Sequence, residues 1–430
     1  MNKKTFLLLA FFNLNQLYAV DFKQLQILLE ENSNQLELKK YDIDISNEDM
    51  NIVNSENYPS LNVGFNIEDS KSLTDNTNST SVGDNNLVND SLKKSYSYLN
   101  LNYNLYSFGR LDSKKKTQEY KIEAIKYEYC QEKKDLILKL LEIYSNALTY
   151  QIKIENLENI IEEKNRIYEL KDRLFSIGDV TKIEVTKSAI EVADLYSQIS
   201  DNKKELKSFY EQMIFLTNYN FSKNEDLEPL ILNQLEGEIE FENSSNAKTL
   251  ISLINSKKSE VTLYEKEFLP NLNFYSKYDF YGASDNSYKT SIDELRENSY
   301  RFGLNLTVNL FDGFKTSSLK QKATLELKQL QTKYDLEKEK FDNEILISNQ
   351  NYQMDKLNLE NKLQNIQLSL LNQTNTKKLE EVGEIAKIES INSNIEKIYK
   401  HIDYKLNEGK LAYEYTKRKI LFEGEKCIVH

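Results

Sequence analysis

Few residues in this chain are of types that do chemistry. Among 430 residues there are two histidines and two cysteines. His401 falls on a predicted helix and His430 is the last residue, so no Ser-His-Asp set, His/Cys metal cluster or Gly-rich phosphate loop can be assembled. We therefore predict no enzyme activity, no metal site and no cofactor. Cys130 and Cys427 lie far apart in the sequence, and we expect no disulfide framework.

A pattern of charged residues around a glycine occurs twice in the sequence. The segments SIGDVTKIEV (176–185) and EVGEIAKIES (381–390) each carry a glycine, an acid, a lysine and a glutamate at the same spacing. Carboxylates near a helix start are favoured by the helix macrodipole, so these acids have a structural explanation as well as a functional one. The residues are Gly178, Asp179, Lys182, Glu184, Gly383, Glu384, Lys387 and Glu389.

Both segments belong to a tandem duplication. A shift of 205 positions relates Gly178 to Gly383 and Leu105 to Leu310, and between these points the apolar residues match without a gap. Pro59 and Pro270 each end a helix before a strand. We predict a first repeat at 20–218 (helix 21–57, β-hairpin 59–106, long coiled-coil helix hairpin), an inter-repeat equatorial linker at 219–243, a second repeat at 244–421 (helix 244–268, β-hairpin 270–310, helix hairpin) and a C-terminal tail at 422–430.

A long helix is the main feature of each repeat. From Arg110 to Ile177 the chain has no proline, and about 68 helical residues span about 100 Å. Apolar residues at steps of three, four and seven indicate packing along other helices, as in a coiled coil. Gly178 then reverses the chain into a shorter helix. The fold class is mainly α with β.

The strands alternate apolar and polar residues. LNLNYNLYSFG (99–109) and FGLNLTVNLFDGF (302–314) put leucines on one face and asparagines or threonines on the other. Such strands are typical of a transmembrane β-barrel with lipid outside and water inside, although a half-exposed soluble sheet alternates in the same way. Four strands cannot close a barrel, and eight are the usual minimum, so the barrel must be shared by at least two chains.

The chain begins with an export signal. Residues 1–19 combine two lysines, a short apolar run and a small residue at position 19, which is typical of a cleaved signal peptide. No later apolar run reaches about 18 residues, so no transmembrane helix is predicted. The net charge of −12 disfavours a nucleic-acid partner.

The motifs LYSFGR (105–110), LFDGFK (310–315), FSIGDVTKIEV (175–185) and EVGEIAKIES (381–390), in this order, resemble the outer-membrane efflux protein (TolC) family over essentially the whole mature chain. The resemblance implies a homotrimer, with a 12-stranded transmembrane β-barrel in the outer-membrane lipid of a Gram-negative bacterium, continued by an α-helical periplasmic tunnel. Such a channel is the exit duct of a tripartite efflux pump or a type I secretion system. Its partners are a periplasmic adaptor protein and an inner-membrane transporter.

The resemblance also assigns roles to the charged segments. Glu184 and Glu389 would face the periplasmic entrance as a gate that attracts cations, and Lys182 and Lys387 could pair with them across neighbouring helices. The tip residues Gly178, Asp179, Gly383 and Glu384 would dock the adaptor. Two departures stand out. An acid follows each tip glycine. LFDGFK has its glycine one position early, with Phe314 at the usual glycine site, so the backbone of this turn could differ from that of the first.

An alternative from another class is a soluble periplasmic coiled-coil adaptor or scaffold protein. It accounts for the helices and the leader but not for the paired strands with alternating asparagine. Within the channel interpretation, the sequence does not separate drug export from protein secretion.

Overall fold

The computed structural model describes residues 19–71, 91–221, 226–231, 240–384, 386–422 and 427. The predicted leader up to residue 18, residues 72–90 of the first polar loop, much of the linker and nearly all of the tail lie outside the described residues. The described chain forms helices α1 (Phe22–Asn32), α2 (Asn34–Ser55), α3 (Arg110–Ser176), α4 (Lys182–Thr217), α5 (Ser245–Glu265), α6 (Tyr288–Asp293), α7 (Lys315–Glu381) and α8 (Lys387–Phe422), and strands β1 (Ser60–Lys71), β2 (Ser91–Tyr106), β3 (Asn271–Ser284) and β4 (Glu297–Thr307).

The duplication is visible in the helix lengths. Both α3 and α7 contain 67 residues, and both α4 and α8 contain 36. Their first residues differ by the shift found in the sequence, because Arg110 corresponds to Lys315 and Lys182 to Lys387. Within the described ranges, no helix combines the length and apolarity that crossing a membrane requires.

The first predicted helix is interrupted, unlike the continuous helix expected over 21–57. Ser33 adopts an extended conformation between α1 and α2, with φ −73° and ψ 115°. Its hydroxyl accepts a long hydrogen bond of 3.5 Å from the amide of Leu36, and its carbonyl accepts one of 3.0 Å from Glu37. Serine competes for backbone hydrogen bonds in this way, which favours caps over helix interiors.

The described chain divides into two compact units, a helical one (within 1–40, 127–248 and 336–430) and a strand-containing one (41–126 and 249–335). The helical unit has an apolar core between α3, α4 and α8. Its buried residues recur at steps of four and seven, as in coiled-coil packing. They are Leu157, Ile160, Ile161, Ile167, Leu195, Ile199, Ile391, Ile395 and Ile402.

A disulfide corrects the expectation that the cysteines stay unpaired. Cys130 on α3 and Cys427 beyond the end of α8 are joined, with their Cα atoms 5.9 Å apart. The end of α8 lies beside this part of α3, where Lys134 Nζ donates to the carbonyl of Leu421 at 3.5 Å. Sequence separation conceals this proximity. The predicted export signal together with two cysteines was nevertheless an indication of a disulfide.

Val20, just after the predicted leader, is fastened to the predicted linker. Val20 and Leu227 form a parallel β-bridge, supported by the hydrogen bond of 2.8 Å from the Val20 amide to the Asp226 carbonyl. The fully buried Tyr144 hydroxyl lies 2.7 Å from the carbonyl oxygens of both Val20 and Glu228. Burial raises the pKa of Tyr144, which keeps the hydroxyl protonated as a donor.

The strand unit contains one antiparallel sheet in the order β1-β2-β3-β4. Its register puts apolar residues from all four strands on one face. Asparagines dominate the opposite face, as in the cross-strand row Asn104, Asn273 and Asn305. The apolar face contains Leu61, Val63, Phe65 and Ile67 on β1, Leu99, Leu101 and Tyr103 on β2, Leu272, Phe274, Tyr278 and Phe280 on β3, and Phe302, Leu304 and Leu306 on β4.

Three details of the hairpins differ from the alternation pattern. A β-bulge between Asn104 and Tyr106 brings Tyr106, rather than Leu105, opposite Leu272. Strand β4 ends at Thr307, so Val308 and Leu310 lie beyond it. The second polar loop contains α6, which packs on the apolar face of the sheet because Gly282 leaves room for the Ser291 carbonyl. The buried hydroxyls of Ser95 and Ser291 share a hydrogen bond of 2.7 Å there.

The two strand-to-helix turns have the same backbone despite their different sequences. In the first, Phe108 and Gly109 have φ values of 51° and 78°. In the second, Gly313 and Phe314 have φ values of 69° and 67°. Each turn thus contains two consecutive left-handed residues, and the glycine and the phenylalanine have exchanged places. The early glycine of LFDGFK does not change the turn.

The second turn yields a stability prediction. A left-handed conformation costs a residue with a Cβ about 1–2 kcal/mol. Phe314→Gly should therefore stabilise the turn by up to about that amount, less the lost contact with the Phe311 ring at 5.3 Å. Gly313→Ala should destabilise it by about 1–2 kcal/mol, since a Cβ there meets no atom within 4 Å and adds only conformational cost. Thermal unfolding in detergent measures both, and shifts of the same sign would contradict the shared left-handed pair.

The disulfide yields a second prediction. Cys427→Ser should lower the free energy of unfolding by about 2–5 kcal/mol, because the crosslink closes a loop over most of the chain. Circular dichroism melts with and without dithiothreitol measure the effect. Cys130→Ser is the matched control, and both variants should be insensitive to the reductant. Equal melting of oxidised and reduced wild-type protein would contradict a stabilising crosslink.

Candidate functional site: two glycine turns and their charged residues

The two predicted tip segments are here called the first glycine turn (176–185) and the second glycine turn (381–390). In both, the long helix ends in the same way. Gly178 and Gly383 adopt φ values of 85° and 77°. The amide of each glycine donates to the carbonyl three residues earlier, and the amide of the following acid donates to the carbonyl five residues earlier, at 2.9–3.0 Å. This double closure is a Schellman motif, which explains why both positions require glycine.

The two predicted gate acids have different surroundings. In the first glycine turn, Thr181 and Glu184 form a capping box at the start of α4. The Thr181 amide donates to Glu184 Oε2 at 2.7 Å, and the Thr181 hydroxyl accepts from the Glu184 amide at 3.3 Å. These hydrogen bonds hold the pKa of the Glu184 carboxyl below its usual range.

The second glycine turn lacks this box because Ala386 stands where the first has Thr181. In the described chain, the exposed Glu389 carboxylate has no side-chain hydrogen bond or ion pair, although the Glu389 amide bonds the Ala386 carbonyl at 2.9 Å. The two glutamates are therefore not equivalent. Both are exposed, but Glu184 completes its own helix cap, whereas the Glu389 carboxylate makes no such bond.

The lysines do not form the pairs expected of them within one chain. Lys182 Nζ lies 5.2 Å from the centre of the Phe175 ring, in a cation–π contact. No ion pair joins Lys182 or Lys387 to Glu184 or Glu389 among the described residues of the protomer. Pairing with a neighbouring copy stays a prediction.

The helices behind the turns are also tied unequally. Lys164 on α3 donates to Glu191 on α4 at 2.8 Å, which lowers the pKa of Glu191. At the corresponding level of the second repeat, Ser393 on α8 has long hydrogen-bond contacts of 3.4 Å with Asn372 and Thr376 on α7. A charge-assisted hydrogen bond is roughly twice as strong as a neutral one. The first hairpin is thus held more firmly near its turn.

Comparisons with known proteins bear on this architecture. A sequence model of the outer membrane efflux protein family matches residues 26–218. The match spans the predicted first repeat, so this part of the chain is similar to the outer membrane efflux protein family. The similarity favours a transport channel of the outer membrane over the alternative of a soluble adaptor or scaffold. Among curated protein sequences, none matches it significantly.

Solved structures of outer-membrane channels share the fold of this chain at low sequence identity. The Campylobacter jejuni CmeC outer membrane channel has 15% identity and a TM-score of 0.74, over 93% of this chain and 84% of that one. The open-state Neisseria gonorrhoeae MtrE outer membrane channel has 11% identity and a TM-score of 0.73, over 93% and 88%. A membrane protein from Pseudomonas aeruginosa has 13% identity and a TM-score of 0.75, over 93% and 92%.

Sequence reasoning missed several residues at the two glycine turns. The cap residue Thr181 was detectable, because a threonine three positions before a glutamate is a capping-box signature. Exposed apolar side chains also flank the glycines and the lysines. Ile177, Val382 and Ile183 are each at least 70% exposed. Only the structure identifies them, since an apolar residue in a heptad pattern is otherwise expected to be buried.

The capping box yields a prediction with a matched exchange. Thr181→Ala should destabilise the start of α4 by about 1 kcal/mol, whereas Ala386→Thr should stabilise α8 by creating the same box with Glu389. Because the folded-state pKa of Glu184 is lowered, its contribution is present at neutral pH and is lost as the pH falls through that value, below the usual glutamate range. Hydrogen exchange of the backbone amides in the first helical turn of α4 and of α8 measures both changes. Equal protection in all variants would contradict the cap.

Proposed function

We propose that three copies of this chain form a closed 12-stranded barrel in the outer membrane, continued by a helical tunnel in the periplasm. The observation that carries the proposal is the apolar face of the four-stranded sheet. Val63, Phe302 and Leu304 on this face are 77%, 69% and 65% exposed in the single chain. An apolar face of this extent is not left in water, and lipid is the solvent that matches it.

The edges of the sheet support assembly from several copies. In the described chain, β1 pairs only with β2, and β4 pairs only with β3. In hydrocarbon the outer backbone groups of β1 and β4 would have no water to bond, so both edges need another strand. Pairing β4 of one copy with β1 of the next satisfies both, and three copies supply the twelve strands that the family resemblance implies.

The helical unit also exposes an apolar stripe. On α7, leucines recur at steps of eleven residues, which is three helical turns and therefore one side of the helix. These residues, all at least 40% exposed, are Leu346, Leu357, Leu368 and Leu379. A stripe of this kind fits packing against helices of a neighbouring copy, and so supports a tunnel wall built from several chains.

Within this proposal, the gate lies at the second glycine turn rather than at both. Its glutamate has no cap partner. Between the turn and the Lys362–Asp403 ion pair, the described polar contacts of α7 with α8 are long neutral hydrogen bonds. This turn is therefore the more easily displaced of the two. Glu389 would line the entrance and attract cations, with Lys387 beside it. Glu184 and Lys182 would serve chiefly to fix the first hairpin.

The docking surface for a periplasmic adaptor would be the glycine turns themselves. Asp179 and Glu384 provide exposed carboxylates, while Ile177, Ile183 and Val382 provide exposed apolar contacts. An adaptor with apolar side chains and basic residues complements this surface. The adaptor would connect the channel to an inner-membrane transporter of an efflux pump or a type I secretion system.

The proposed gate yields a prediction about ion selectivity. In planar bilayers, Glu389→Gln should shift the reversal potential in a KCl gradient toward lower cation selectivity, because three carboxylates leave the entrance. Glu184→Gln is the matched control, since it removes the same charge from a capped position, and should have a clearly smaller effect. Equal shifts in both variants would contradict the narrowed gate.

The assembly is tested separately by mass. Native mass measurement of the detergent-extracted outer-membrane fraction should give a species of three chains. A monomer or dimer that is soluble without detergent would overturn the proposed channel.

A further inference from the structure

The polar face of the sheet carries a cluster of charges near its middle. Lys277 on β3 and Arg301 on β4 are direct cross-strand partners, in a row with Asn62 and Asn100. Like charges in this arrangement repel each other. The Asp279 carboxylate lies between them, 2.7 Å from Lys277 Nζ and 3.0 Å from an Arg301 Nη atom. Two cations share one carboxylate, which leaves one positive charge in excess.

The cluster is held in place by an aromatic support. Lys277 Nζ lies 4.8 Å from the centre of the Tyr98 ring. Tyr98 in turn lies across Gly64 of β1, where a Cβ atom would overlap the ring. The glycine lets the ring lie flat on the sheet, and the ring fixes the position of the lysine. All these residues belong to strands, so the cluster is preorganised rather than carried on a loop.

Arg301 retains most of its binding capacity. Its side chain is 64% exposed, whereas that of Asp279 is 17% exposed. A guanidinium has five N–H donors in a planar fork, and among the described residues only Asp279 accepts a hydrogen bond from it. The remaining N–H groups have no described protein acceptor, and the side chain is largely exposed to solvent. This geometry suits the paired oxygens of a carboxylate or a phosphate.

Among the strand residues of this face whose side chains the structure describes, one other acid is present, and it lies opposite a base. Glu68 is the cross-strand partner of Lys94, which carries the opposite charge. Since the Debye length is about 10 Å in 0.1 M salt, the positive potential near Arg301 survives locally although the whole chain is acidic.

We propose that Tyr98, Lys277, Asp279 and Arg301 form an anion site on the pore wall, which binds carboxylate or phosphate groups of solutes passing through the barrel. The inference rests on the proposed function, because it requires that the polar face of the sheet lines the pore. Arg301 supplies the binding fork, Lys277 adds charge, Asp279 holds both cations apart, and Tyr98 supports Lys277. Three such sites would surround the lumen of a trimer.

The test measures how anions reduce the current through single channels in planar bilayers at about 0.1 M KCl. Tripolyphosphate and citrate serve as separate probes of phosphate and carboxylate recognition. Arg301→Gln should raise the half-blocking concentration about tenfold, as expected for the loss of a charged hydrogen-bonding group. Asp279→Asn should lower it severalfold, because it adds one unit of excess charge. Arg301→Lys should also weaken the block, but less than Arg301→Gln, because it keeps the charge and loses the bidentate fork.

The control is Lys289→Gln on α6, which removes the same charge from an exposed residue outside the cluster and should leave the block unchanged. If pores form and all variants respond equally to both probes, the anion site is overturned while the channel stands. If no variant and no wild-type protein forms pores, the proposed function itself fails. If the Arg301→Gln channel does not insert into the bilayer, the Asp279→Asn channel alone tests the proposal. An unchanged half-blocking concentration in that variant would overturn the anion site.

Discussion

The structure depends on one constraint, the need to pair every backbone hydrogen-bonding group that leaves water. In the proposed membrane barrel, a four-stranded sheet with an apolar face and two unpaired edges satisfies this condition only when other strands complete it. The constraint explains the number and order of the strands. Each repeat supplies one hairpin, β2 and β3 join the two hairpins, and β1 and β4 stay available at the margins. The helical unit shows the same incompleteness in the exposed leucines of α7.

The parts of the fold with a strong period could be predicted from the sequence. The apolar steps along 110–177 and their recurrence 205 positions later predict α3 and α7, and the alternation at Leu99–Tyr103 predicts the faces of the sheet. Places where a local interaction overrides the apolar period were harder to detect. Ser33 interrupts a helix whose apolar pattern is continuous, and α6 occupies a loop with no apolar period. The Cys130–Cys427 disulfide depends on where the end of α8 lies, which no local pattern encodes.

The candidate site was predicted in position but not in detail. The spacing of glycine, acid, lysine and glutamate located both glycine turns, and the Schellman closures explain the glycines. The difference between Glu184 and Glu389 arises from a single residue, Thr181 against Ala386, whose effect on a carboxylate three positions away requires the hydrogen-bond geometry. Likewise, alternation predicted a polar strand face but not the arrangement of Lys277, Asp279 and Arg301, because cross-strand register decides which charges meet.

The disulfide has a consequence for the timing of assembly. Its two cysteines are separated by 297 positions, and all of α4 to α8 lies between them. Since a chain is synthesised from its N-terminus, the Cys130 thiol exists long before its partner. The native crosslink can therefore form only after both repeats have been synthesised, and until then α3 carries an unpaired thiol.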